Sequence, residues 1–219
     1  MLLKKDLLTL NKLILDAESE NICLSNVKRF LENQTVENQQ KLCSLAFNEM
    51  ISLYYMRYLE AKSALHLAMD RKYYELAEFF MNEIHCNPDS LIEGHCFKTP
   101  YIFRCIDLGE VSSLRFLLEN GANPCLAHLY DKIVFDENEN PIERTQSITP
   151  PLYNAVSRND VESCRLLLQF GAKDGLYQHS VSFPATGEVD VSVTKLASVL
   201  AKELANQSIV SLFKRHKLL

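Results

Sequence analysis

Apolar residues recur at helical spacing along most of the chain. Leu7, Leu8, Leu10, Ile14 and Leu15 outline one amphipathic helix, and Val27, Phe30 and Leu31 suggest a second. Leu42, Leu45, Ala46, Met50, Leu53 and Tyr54 mark a third, longer one. From Ser63 the pattern turns into helix pairs: a short helix, a break near Lys72, Gly109 or Asn159, then a Leu/Phe-rich helix. Phe116-Leu117-Leu118 and Leu166-Leu167-Leu168 make the second helix of two pairs apolar over a wide face, which must be buried against neighbours.

The pairs are internal repeats. SALHLAMDRKYYELAEFFMNE from Ser63 aligns with PYIFRCIDLGEVSSLRFLLENGANP from Pro100 and PPLYNAVSRNDVESCRLLLQFGAKD from Pro150. LAKELANQSIVSLFKRH, from Leu200, looks like a terminal unit. Thr99 and Thr149, each followed by proline, fit helix starts. Gly121 and Gly171 sit where a helix must end in the left-handed conformation. Starts near 63, 100, 150 and 196 are 37, 50 and 46 residues apart. The two longer separations leave insertions that read as β-hairpins. In Leu126 to Ile148 an apolar run and an Asp/Asn/Pro turn precede Ile142. In Leu176 to Val193, Val181/Phe183 and Val189/Val191/Val193 alternate around Pro184-Ala185-Thr186-Gly187.

These segments resemble the ankyrin repeat. The family's Thr-Pro-Leu-His-x-Ala turn is matched by Ser63-Ala64-Leu65-His66-Leu67-Ala68 and by Pro150-Pro151-Leu152-Tyr153-Asn154-Ala155, with a degenerate version at Pro100, Tyr101, Ile102, Phe103 and Cys105. The resemblance implies a mostly α fold: an ankyrin-repeat solenoid with two elongated β-hairpin fingers and a helical N-terminal cap. Residues 1–60 form that cap, or degenerate repeats, and residues 61–219 the stack. The family's histidine, here His66, bonds the turn backbone and is structural.

Composition agrees with a soluble protein. Of the 219 residues, 47% are hydrophobic and 23% charged, and 28 acidic against 23 basic side chains give a net charge of −5. With a pI near 5.7, a general nucleic-acid partner is not expected. No stretch approaches the ~18 uncharged apolar residues of a membrane span, so no membrane insertion is expected. Nor does the N-terminus read as a secretory signal. Seven cysteines, odd in number and scattered, suggest reduced core thiols in a cytoplasmic setting.

Enzymatic signatures are missing: there is no phosphate-binding loop, dinucleotide glycine fingerprint, HExxH or nucleophile elbow. His85-Cys86 and His95-Cys96 put four zinc-type ligands within twelve residues. In register, however, His85-Cys86-Asn87-Pro88 matches the turn Gly121-Ala122-Asn123-Pro124, so turn and packing roles are expected, with metal binding left open. Asp136-Glu137-Asn138-Glu139-Asn140 starts like a calcium loop but has Pro141 where glycine is needed and Ser147 at the twelfth position, which reads as a solvated acidic fingertip. The basic tail Lys214-Arg215-His216-Lys217 reads as the charged end of a last helix.

The expected function is therefore non-catalytic protein–protein recognition or an adaptor role, without cofactor, by a chain monomeric on its own. The protein partner would meet the concave face at Asp70, Arg71, Asp107, Leu108, Ser157 and Arg158. On the fingers it would meet Tyr130, Ile133, Phe135, Gln178 and Phe183. Two alternatives stand beside this. One is an ankyrin-type effector of an intracellular bacterium, acting in the host cytosol. The other is an enzyme using Cys43 or His66.

Overall fold

The computed structural model describes residues 2–44, 62–93, 97–184 and 186–219, in two compact units, residues 1–95 and 96–219. The first unit holds α1 (Leu2–Leu15), α2 (Glu20–Glu32), α3 (Val36–Ser44), α4 (Ala64–Asp70), α5 (Tyr74–Asn82) and the short strand β1 (Leu91–Glu93). Leu10, Ile14, Val27, Leu31, Leu42, Leu65, Met69, Leu76 and Phe80 form its core. Of the long third helix expected from sequence, α3 contains Leu42, while Leu45 to Tyr54 lie outside the described residues.

The second unit is built of β2 (Phe97–Pro100), the pair α6 (Tyr101–Leu108) and α7 (Val111–Glu119), β3 (His128–Phe135) and β4 (Pro141–Thr149). There follow the pair α8 (Pro151–Ser157) and α9 (Val161–Gln169), β5 (Leu176–Phe183), β6 (Glu188–Leu196), and the pair α10 (Ala197–Glu203) and α11 (Gln207–Arg215). Ile102, Ile106, Leu114, Leu117, Leu152, Val156, Leu167, Ala201, Ile209 and Phe213 are buried where the helices pack. Gly109, Asn159 and Ala205 take left-handed φ of 67°, 58° and 54° between the helices of each pair, as Lys72 does at 58° between α4 and α5. Past each second helix, Gly121, Gly171 and Lys217 are left-handed again. Ala122 N–H then bonds Leu117 O and Ala172 N–H bonds Leu167 O, the closing bond of a Schellman motif.

The expectation of a mostly α solenoid with two separate fingers is corrected. Among the described residues six strands stand beside eleven helices, and the architecture is mixed α/β. β2 to β6 pair in chain order as one antiparallel meander. The physical reason lies in strand length. Each hairpin strand runs eight or nine residues, and an edge that long would leave a row of backbone N–H and C=O groups without a ladder partner. The two hairpins satisfy one another instead, Arg144 to Ile148 pairing with Ser182 to Gln178. Thr99 and Thr149 also differ from expectation. Thr99 lies inside β2 and Thr149 ends β4, and Pro100 and Pro150 occupy the N-caps of α6 and α8.

Candidate recognition surface

Antiparallel register decides which side chains share a face, because directly paired residues project to the same side. One row runs Leu129, Ile148, Gln178, Thr194 across β3 to β6. The parallel row, two residues along, is Asp131, Gln146 and Ser180. Between them in each strand lie Tyr130, Ser147 and His179, and these ten residues line a trough of about 460 Å³. On the same face Ile133, Leu176 and Leu196 extend the apolar exposure, with Leu129 at 46% and Ile148 at 40%.

Among the described residues that line the trough, the one carboxylate is paired. Arg144 grips Asp131 bidentately, Nε to Oδ1 at 3.0 Å and one terminal nitrogen to Oδ2 at 2.7 Å. That hydrogen bonding holds the Asp131 carboxyl below the usual aspartate range. Gln146 Nε2 donates to the same carboxylate at 3.2 Å. Gln178, Ser180 and Thr194 make no side-chain hydrogen bond among the described residues.

The opposite face turns toward the first helices of the pairs. His128 packs between Phe97 and Phe103, its Nδ1 2.8 Å from Thr99 Oγ1, and burial lowers its pKa while nearby Asp107 works the other way. Tyr153 of α8 stacks on Tyr177 with centroids 4.5 Å apart, and Tyr177 lies parallel to His179.

The residues expected to meet a partner fall into separate groups. Asp70 pairs with Lys62 at 2.7 Å. Arg71 donates to Ala17 O at 2.6 Å and to Tyr73 Oη at 2.8 Å, tying the α1–α2 loop to the α4–α5 turn. Asp107, Ser157 and Arg158 belong to a network around the ends of α6 and α8. Leu108 beside them is 59% exposed. Of the finger residues, Ile133 and Gln178 lie on the trough face, Tyr130 and Phe183 belong to the other, and Phe135 is exposed at the end of β3. Sequence reasoning missed Leu129, Ile148, Ser180 and Thr194. The alternation Leu129-x-Asp131-x-Ile133 and Leu176-x-Gln178-x-Ser180 is the signal that places them together.

The other candidates for chemistry have local roles. His66 is buried: its Nδ1 accepts from Ser63 N–H at 3.1 Å and its Nε2 lies 3.1 Å from Ser90 O. Cys43 is buried beside Cys86, and that hydrogen bond together with burial drives its pKa up. Burial pushes Cys23 to about 11 and Cys164 to about 12, opposite to what a thiolate nucleophile needs. His85 is exposed with a φ of 62° while Cys86 is buried, so the two diverge; His95 and Cys96 lie outside the described residues. Among the described residues no three His, Cys, Asp or Glu gather as a metal site. Asp136 Oδ1 accepts from Asn138 N–H and Asn140 N–H, both at 2.8 Å, so it closes its own turn. No helix among the described residues is long and apolar enough to cross a membrane.

No protein-family model matches the sequence, and no curated protein matches it.

Proposed function

We propose that this chain is a non-catalytic recognition module that binds a protein partner through the finger strands and the neighbouring end of α6. One observation carries the reading: a continuous antiparallel sheet exposes Leu129, Ile133, Ile148, Leu176 and Leu196 on a single face. The four long strands β3 to β6 at ~4.8 Å spacing, eight residues long at ~3.3 Å rise, span roughly 500 Å². That is more than half of the ~800 Å² per partner of a standard protein interface. A hydrogen-bonded sheet is also rigid, so little ordering entropy opposes binding. The resemblance of the segments from Ser63, Pro100 and Pro150 to ankyrin repeats supports the same class of activity.

The test is capture from extract by the intact chain beside a Leu108→Lys/Ile133→Lys variant. Both positions are exposed and apolar, so the variant should keep the parent's circular dichroism and melting temperature. A protein recovered by the parent and lost with the variant is the expected result. Equal recovery by both, or none by either, would remove the proposal.

A further inference from the structure

We infer that the trough on the sheet is a subsite for a short, uncharged, extended peptide segment of a protein partner, laid across β3 to β6. This deepens the recognition reading and rests on it. The dimensions come first. From β3 to β6 is three strand intervals, ~14 Å, the length of about four extended residues at ~3.3 Å each. The volume of about 460 Å³ lies within the range of built ligand pockets, ~300–1,000 Å³.

Chemistry then selects the occupant. The β3–β4 end of the first row is aliphatic, Leu129 beside Ile148, and suits one branched apolar side chain. The β5–β6 end offers the amide of Gln178 and the hydroxyls of Ser180 and Thr194, each both donor and acceptor and none hydrogen-bonded within the described residues. A peptide backbone presents that need, one N–H and one C=O per residue. Among the described residues the trough carries no net charge. Asp131 is neutralised by Arg144 and also receives Gln146, so among these residues neither a phosphate nor an ammonium group finds a free counter-charge. A charged segment would lose hydration without compensation.

The experiment uses a displayed library of linear heptapeptides selected on the intact chain. Enriched sequences are then synthesised with a fluorophore and titrated by anisotropy. The expected winners are uncharged and carry Leu, Ile or Val next to small polar residues. Their affinity should fall at least tenfold with Gln178→Lys and with Ile148→Lys, and stay within twofold for Leu108→Lys. If Gln178→Lys alters the fold by circular dichroism, Gln178→Ala and Thr194→Ala replace it, with a threefold loss expected. Charged winners, winners indifferent to the trough variants, or no enrichment would each overturn the inference. An uncharged small molecule that binds where no peptide does would overturn it too. Peptides lost with Leu108→Lys/Ile133→Lys but retained by Gln178→Lys would overturn the trough while leaving protein recognition standing. Failure of the capture experiment removes recognition itself.

Discussion

Arg158, just past α8, donates from its guanidinium to the backbone oxygen of Asp107 at the end of α6, at 2.7 Å, and lies 3.4 Å from its carboxylate. Asn154 adds a 3.0 Å bond to that carboxylate. Two residues that sequence offers as partner contacts therefore hold one helix pair to the next. Both side chains are about half exposed, so the ion pair itself contributes little and the bond to the carbonyl more. Arg158→Ala should cost about 0.5–1 kcal/mol, roughly 1–4 °C in Tm for a chain of this size. Leu108→Ala, with its side chain largely in solvent, should stay within about 0.5 kcal/mol. Thermal unfolding of the two variants checks this. An Arg158→Ala melt identical to the parent's would return the arginine to the pool of free recognition side chains.

Ala205 and Gly109 occupy the same step of the helix pair, both left-handed, yet only one lacks a Cβ. A non-glycine residue in that region costs roughly 1 kcal/mol, partly offset by the extra freedom glycine gives the unfolded chain. Ala205→Gly should accordingly raise stability by about 0.5 kcal/mol, and Gly109→Ala should lower it by about the same amount. Nothing stands within 4 Å of a Cβ built on Gly109, so the loss would be conformational rather than steric. Denaturant midpoints with unchanged slopes decide the matter, and a destabilised Ala205→Gly would refute it.

The pH dependence of stability should carry the signature of His128. Burial against Phe97 and Phe103 disfavours the imidazolium, so its folded pKa lies below the unfolded value of ~6.5. Between those two values the unfolded chain binds more protons than the folded one. Stability from this group is thus complete above pH ~6.5 and declines as the pH falls toward the folded pKa. His128→Gln keeps an acceptor near Thr99 and cannot titrate. Its stability should vary less than the parent's between pH ~6.5 and 5, and parallel curves over that window would exclude the assignment.

How far the sequence reaches depends on the range of the interaction. Left-handed positions such as Gly121 and Gly171, and the hairpin strands around Pro184 and Gly187, follow from local backbone preference, and each pair's apolar face from helical period. The joining of the hairpins is different. Whether β4 finds β5 depends on how the intervening pair α8–α9 returns the chain, and no local signal in Arg144 to Ile148 states it. Free hairpin edges would give fingers on a helical stack, whereas the trough needs β3 through β6 side by side. Charges misled for a related reason. Arg71 and Arg158 read as exposed recognition residues because carbonyl partners such as Ala17 and Asp107, more than fifty positions away, leave no mark in the local pattern.

The His66 ring ties the backbone at Ser63 to that at Ser90, and its removal should be costly. Ser63 N–H donates to Nδ1, so that nitrogen carries no proton and the neutral imidazole donates from Nε2 toward Ser90 O. Ser63 Oγ in turn accepts from His66 N–H at 3.4 Å, completing a reciprocal cap on α4. Replacement by Leu preserves bulk but leaves the buried N–H of Ser63 without this partner, a loss of about 1–3 kcal/mol, and the half-buried carbonyl of Ser90 likewise, at about 1 kcal/mol. His66→Leu should therefore lose about 2–4 kcal/mol, whereas Ser63→Ala, which removes only the weaker half of the cap, should lose about 1 kcal/mol. Hydrogen exchange would report the damage locally, with α4 amides exchanging faster in the Leu variant and those of α9 unchanged. A general base would show itself differently, as an activity that disappears without change in stability, and an undiminished Tm for His66→Leu would reopen that role.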